Sequence, residues 1–228
     1  MKIFACFVLL LLVSLNAAAQ KTLVRVKAGE DAATVLSKEI YIYPVFTKGT
    51  VVYRDGTRSG GLMNYNTLVH EMQFIDGNGD TLALSDPHTT RFILIDGDSF
   101  FYDRHYLKQV ASGNALRLLK QARLRIADKQ KIGAYDMPTS NSSIQSYNSI
   151  TNGLMRLAIN VREDILMSRE TQYYFADNYG SPVPATRRSL INLLGRRYHE
   201  AEKYLKDHSV NFSNESDLIN LVSEMNGK

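Results

Sequence analysis

Between Ile40 and about residue 126, short runs of β-branched and aromatic residues alternate with turn-forming clusters. That rhythm is the feature that most limits what the chain can fold into. The runs are Ile40 to Phe46, Thr50 to Arg54, Gly61 to Tyr65, Met72 to Ile75, Thr81 to Leu84, Arg91 to Ile95 and Ser99 to Tyr102. Between them stand Asp55-Gly56, Asp76-Gly77-Asn78-Gly79-Asp80, Asp86-Pro87 and Asp96-Gly97-Asp98, whose glycines and carboxamide or carboxylate side chains suit tight reversals. Extended runs at a spacing of roughly ten residues predict an antiparallel β meander, either a curved sheet or a small barrel.

Residues 106 to 131 fit two periods. Leu116, Leu119, Ala122 and Ile126 match a helix, whereas Leu116, Leu118, Ala122, Leu124 and Ile126 match one face of a strand. Ser112-Gly113-Asn114 favours a hairpin, with Arg117, Gln121, Arg123 and Arg125 on the face opposite the leucines. Residues 136–149, rich in Ser and Asn, read as an exposed loop, and extended character resumes at Ile165 to Met167 and Gln172 to Ala176. The rhythm then changes. Leu190, Leu194, Tyr198, Ala201 and Leu205 recur at helical spacing and predict a helix from about Arg187 to Lys206. Ser213-Asn214 caps a second helix carrying Leu218, Leu221, Val222 and Met225 on one stripe. Neither stripe can be hidden by its own helix, so both must dock on the sheet or on each other. The expected class is α+β, an antiparallel β meander followed by a C-terminal helix pair. Residues 21–38 suggest a first strand and a loop.

The N-terminus reads as an address. Met1-Lys2, an apolar stretch from Ile3 to Leu15 and the small residues Ala17-Ala18-Ala19 before Gln20 match a secretory signal peptide cleaved near Ala19-Gln20. The apolar run is shorter than the ~20 residues needed to span a bilayer, and no later run reaches that length. A soluble periplasmic or extracellular protein without a transmembrane segment is the expectation. The organisation that follows is a signal peptide over 1–19, a β-rich region over 20–135, a polar loop over 136–150, and extended segments with helices over 151–228, the last three forming one domain. The one cysteine, Cys6, falls inside the leader, which excludes disulfides, thiol nucleophiles and cysteine-ligated zinc from the processed chain. A formal charge of +4 over 228 residues is too small a bias to imply nucleic acid.

Chemistry-bearing patterns are sparse. Asp76, Asn78 and Asp80 place oxygen donors at alternate positions and are the candidate calcium ligands, although Thr81 and Pro87 stand where an EF-hand loop needs glycine and glutamate. A glycine-rich hairpin turn accounts for the same residues without a metal, and no other cofactor is expected. The five histidines, His70, His88, His105, His199 and His208, form no zinc-protease spacing, and no nucleophile elbow or phosphate-cradling glycine loop is present. Arg117, Arg123 and Arg125, on one strand face, can receive an anionic partner, or can simply form a solvated face with their stems packed over apolar neighbours. Tyr102 and Tyr106, part of a tyrosine cluster, join them as candidate ligand contacts of the kind that meet carbohydrate or peptide. These features favour an exported, non-enzymatic binding protein whose partner is an envelope protein, a glycan or an anionic surface. A hydrolase acting on envelope polymers through dispersed Asp, Glu or His is the alternative.

Several motifs carry a resemblance: Phe46-x-x-Gly49-x-Val51, Gly61-Leu62-x-Asn64-Tyr65-Asn66, Glu71-Met72-x-Phe74 and Phe92-x-x-x-x-Gly97-x-x-Phe100. With the Tyr173-Tyr174 strand and the two closing helices, the chain resembles uncharacterised exported proteins of the Bacteroidota over about residues 45–226. The resemblance implies export and a β-rich body with C-terminal helices. It assigns no catalytic residue.

Overall fold

The computed structural model describes residues 23–132, 138–140, 164–177 and 180–227. The signal-peptide reading and most of the polar loop lie outside these residues. Twelve strands join in one antiparallel sheet. They are β1 (Leu23–Val26), β2 (Thr47–Tyr53), β3 (Arg58–Asn66), β4 (Glu71–Ile75), β5 (Thr81–Ala83), β6 (Thr90–Ile95), β7 (Asp98–Asp103), β8 (His105–Ala111), β9 (Arg117–Ile132), β10 (Pro138–Ser140), β11 (Asp164–Ala176) and β12 (Val183–Pro184). Among the described residues four α-helices accompany them: α1 (Ala32–Ser37), α2 (Arg187–Leu194), α3 (Tyr198–Asp207) and α4 (Glu215–Asn226).

The sheet is two meanders fused side by side. One runs β2-β3-β4-β5 and the other β6-β7-β8-β9-β11, with β1 beyond β11, and the pairing of β2 with β6 joins them. At Asp96-Gly97, positive φ values of 51° and 82° give the double left-handed backbone of a tight hairpin, so the turn chemistry sets the register of Ile95 opposite Asp98. The hairpin of β8 and β9 is confirmed over the helical alternative for residues 106–131, and β9 pairs with β11 along its length.

The joined meanders curl. Alternation along β2, β3, β6, β7 and β8 points Val51, Met63, Tyr65, Ile93, Ile95, Phe100 and Tyr106 to the inside of the curl, where they share a core with Met72. Curling brings β4 against β8, and the amide of Leu124 on β9 donates to the carbonyl of Thr67 at 3.0 Å. Complete closure is not reached, because β4 and β8 form no ladder. β8 is paired with β9 only from Lys108 onward, and the seam lies beside His105 to Leu107.

The helices cover one end of the sheet. Leu190, Leu194, Ala201, Leu218, Leu221, Val222 and Met225 bury their stripes with Leu116, Leu118 and Phe175. Thr186 caps α2 and Asn214 caps α4, each side chain accepting an amide of the first turn. Lys120 reaches Glu215, in the first turn of α4, at 2.8 Å, and the Tyr173 hydroxyl donates to the same carboxylate at 3.0 Å.

Four expectations are corrected. Ile40 to Phe46 is not a strand; Ile40 to Ile42 make an isolated bridge and backbone bonds to Tyr65 and Thr67, and beyond them the Asn64 side chain accepts from the Tyr43 amide and donates to the Tyr43 carbonyl. Residues 138–140 of the expected loop pair with β9 as β10. The single helix expected from Arg187 to Lys206 is broken at Gly195, whose φ of +51° leaves the helical region, and a 3-10 turn joins α2 to α3. Residues 21–38 hold a helical turn after β1 rather than only a loop.

Candidate functional site

The open seam between β4 and β8 contains a cleft of about 270 Å³. One wall is built by the turn after β3. The Asn66 carboxamide oxygen accepts from the amides of Leu68 and Val69 at 3.1 and 3.3 Å, tightening the chain so that His70 enters β4 with φ +61°. Arg104 forms the opposite wall, the link between β7 and β8, with φ +60°. Two non-glycine residues in the left-handed region thus face each other across the seam, each at a cost on the order of 1 kcal/mol. His70 and His105 come together there, their ring centroids 5.4 Å apart. Tyr102 and Tyr106 floor the cleft at a centroid distance of 5.0 Å, edge to face, and the His88 ring packs on Tyr102 at 5.0 Å.

Two residues that line this cleft each carry a buried polar atom with no hydrogen-bond partner among the described residues, Nδ1 of His70 and the hydroxyl of Tyr106, the latter residue 3% exposed. Buried polar groups are nearly always paired, and an unpaired one costs roughly 1–3 kcal/mol. Burial pushes the His70 imidazole down to about 4, helped by the charges of His105, Arg123 and Arg125. Burial likewise lowers His105, with Arg123 and Arg104 acting in the same sense and Asp103 against them. The Tyr106 phenol is raised by burial and then by Tyr102, Tyr65, Asp86 and Glu71. At neutral pH the cleft therefore presents two uncharged imidazoles, the phenols of Tyr102 and Tyr106, the guanidinium of Arg104 and the carboxyl group of Glu71, a mixed set of donors and acceptors. Glu71, itself part of the lining, accepts from Gln73 at 3.1 Å through Oε2, and Gln73 in turn accepts from the Tyr41 hydroxyl at 2.8 Å.

Of the residues singled out in the sequence, Tyr102 and Tyr106 line the cleft. The three arginines do not line it, although the charges of Arg123 and Arg125 reach its histidines. Cross-strand register places Tyr106 and Lys108 on the face of Lys120 and Ala122, which leaves Arg117, Arg123 and Arg125 on the opposite face. Arg117 donates to the carbonyl of Asp177 at 2.7 Å from Nη2, with its guanidinium 5.2 Å from the centre of the Phe101 ring. Arg123 and Arg125 straddle Glu170 at 3.4 and 3.6 Å. The stripe exists, but protein groups engage each member. Asp76, Asn78 and Asp80 sit in the turn between β4 and β5, where Asp76 Oδ1 accepts from the amides of Asn78 and Asp80, each at 2.9 Å. Among the described residues no group of three His, Cys, Asp or Glu is arranged to hold a metal ion.

His70, Arg104 and His105 went unnoticed as site residues because 34 positions separate the first two, and only curling of the sheet makes them neighbours. Comparison of the chain with protein-family models, with curated proteins and with solved structures returns no match.

Proposed function

We propose that this is an exported envelope protein with a binding rather than a catalytic role, and that the seam cleft is where its ligand sits. The observation that carries the reading is that two residues lining one concavity, His70 and Tyr106, each hold a buried polar atom without a partner among the described residues. A protein that leaves such atoms unsatisfied at an opening gains from a molecule that completes them. The leader-like N-terminus and the resemblance to exported Bacteroidota proteins support an envelope location. No helix among the described residues is long and apolar enough to cross a membrane.

Isothermal titration of the purified protein with soluble envelope fragments, disaccharide peptides and oligosaccharides, tests this. Saturable binding that Tyr102→Ala weakens at least tenfold, with the fragments recovered intact, is the expected result. Cleavage of a fragment would replace the reading with the hydrolase, and binding indifferent to Tyr102→Ala would move the site away from the seam.

A further inference from the structure

Resting on the seam as the ligand site, the lining narrows the chemistry of what enters. A cleft of about 270 Å³ is slightly below the ~300 Å³ at which pockets for drug-sized ligands begin, so it suits one small unit rather than a polymer segment. Tyr102 and Tyr106 supply aromatic surface, and His70 Nδ1 with the Tyr106 hydroxyl supplies polar atoms that lack partners. Arg104 is exposed at the cleft wall and makes no ion pair among the described residues. This sets it apart from Arg123 and Arg125, which share Glu170. A guanidinium held on strained backbone at the mouth of an aromatic cleft is suited to a carboxylate.

We infer that the ligand is an acidic sugar of monosaccharide size, its carboxylate on Arg104 and its ring and hydroxyls against Tyr102, Tyr106 and His70. Such a ligand would be linked to protons. The groups facing the two imidazoles are Glu71 from β4, Asp103 and Arg104 from the link of β7 and β8, Arg123 and Arg125 from β9 with Glu170 between them, and Asp86 near Tyr106. The guanidiniums among them disfavour imidazolium, and an arriving carboxylate offsets that field. The bound complex then takes up protons more readily than the free protein, so affinity rises as pH falls.

The test is titration of the full chain with glucuronate, glucose and inorganic phosphate at pH 7.5 and pH 5, on the unaltered protein, Arg104→Gln and Arg104→Lys. Glucuronate is expected to bind at least tenfold more tightly than glucose or phosphate, and roughly three- to tenfold more tightly at pH 5 than at pH 7.5. Arg104→Gln should abolish that preference while Arg104→Lys keeps most of it, and because residue 104 is exposed both variants should fold. Glucose binding as well as glucuronate overturns the carboxylate but leaves the seam as a sugar site. Phosphate binding equally overturns the sugar, and a pH-independent affinity overturns the placement beside the histidines. If none of the three binds while envelope fragments do, the acidic monosaccharide is wrong and the seam reading survives. If nothing binds, both fall.

Discussion

At the scale of single residues, stability and the proposed binding role pull in opposite directions at Arg104. A side chain at φ +60° bears a left-handed cost of roughly 1–2 kcal/mol that glycine does not, and glycine returns part of that gain through the freedom of its unfolded state. Arg104→Gly should therefore raise the urea midpoint by a margin worth about 0.5–1 kcal/mol and at the same time remove the guanidinium from the cleft wall. A variant that is both less stable and still binds would show that the strain has another origin. Gly49 is the reverse case. Its Cβ would stand 2.9 Å from the Leu94 carbonyl oxygen and 3.1 Å from Met63 Sδ, so the backbone of β2 would have to move off β6. Gly49→Ala should destabilise by about 1–3 kcal/mol, measured by the same denaturation.

Among elements, one carboxamide ties the C-terminal end of α4 to the sheet. Asn226 Oδ1 accepts from the amides of Ala115 and Leu116 at 2.9 and 3.0 Å, and its Nδ2 donates to the carbonyls of Leu116 and Val222 at 2.8 and 2.9 Å. Gly113 makes room for it, since a Cβ there would lie 2.1 Å from Asn226 Cγ. Asn226→Leu leaves hairpin backbone groups unpaired and should cost about 2–3 kcal/mol. Gly113→Ala displaces the same side chain, so the double variant should lose clearly less than the two single losses combined. Strict additivity would mean that Gly113 acts on the hairpin alone. This contact also marks the limit of reading from sequence. The strands β2 to β7, the β8–β9 hairpin and the stripe of α4 were legible because alternation and turn chemistry are local. Asn226 was not, because a polar residue at a helix end looks solvated until the hairpin 110 positions earlier arrives over it. Ile40 to Phe46 misled for a related reason: its composition is that of a strand, but at Tyr43 and Val45 the side chain of Asn64 occupies backbone groups a ladder partner would use. The site divides along the same line, with aromatic Tyr102 and Tyr106 visible and His70, Arg104 and His105 assembled only by curling.

For the molecule as a whole, protons should loosen the fold in two separate windows. His70 has an ordinary value of 6.5 and a folded value of about 4, so the unfolded chain binds more protons between them and stability falls as pH drops through that range. For a half-exposed ring, solvent screening reduces the loss to about 1–2 kcal/mol. The second window is carried by carboxylates. Burial raises Asp98, but hydrogen bonds from Lys108 and Tyr43 and the charges of Lys108 and Lys120 outweigh it; burial likewise raises Glu215, outweighed by Lys120, Tyr173 and Lys108. Both are held below their ordinary 3.8 and 4.5, so the stability they contribute is complete above those values and disappears as pH falls beneath them. Urea unfolding at pH 7, 5, 4 and 3 should resolve the two. His70→Asn, whose side chain tolerates the left-handed backbone, should flatten the profile between pH 6.5 and 4 and leave the acid limb unchanged. Glu215→Gln should soften the acid limb while leaving the upper one, because it loosens α4 from Lys120 and Tyr173 without touching the seam. If His70→Asn instead steepens the acid limb, the seam and the helix clamp are one cooperative unit, and the half-closed barrel opens and closes together with its helices.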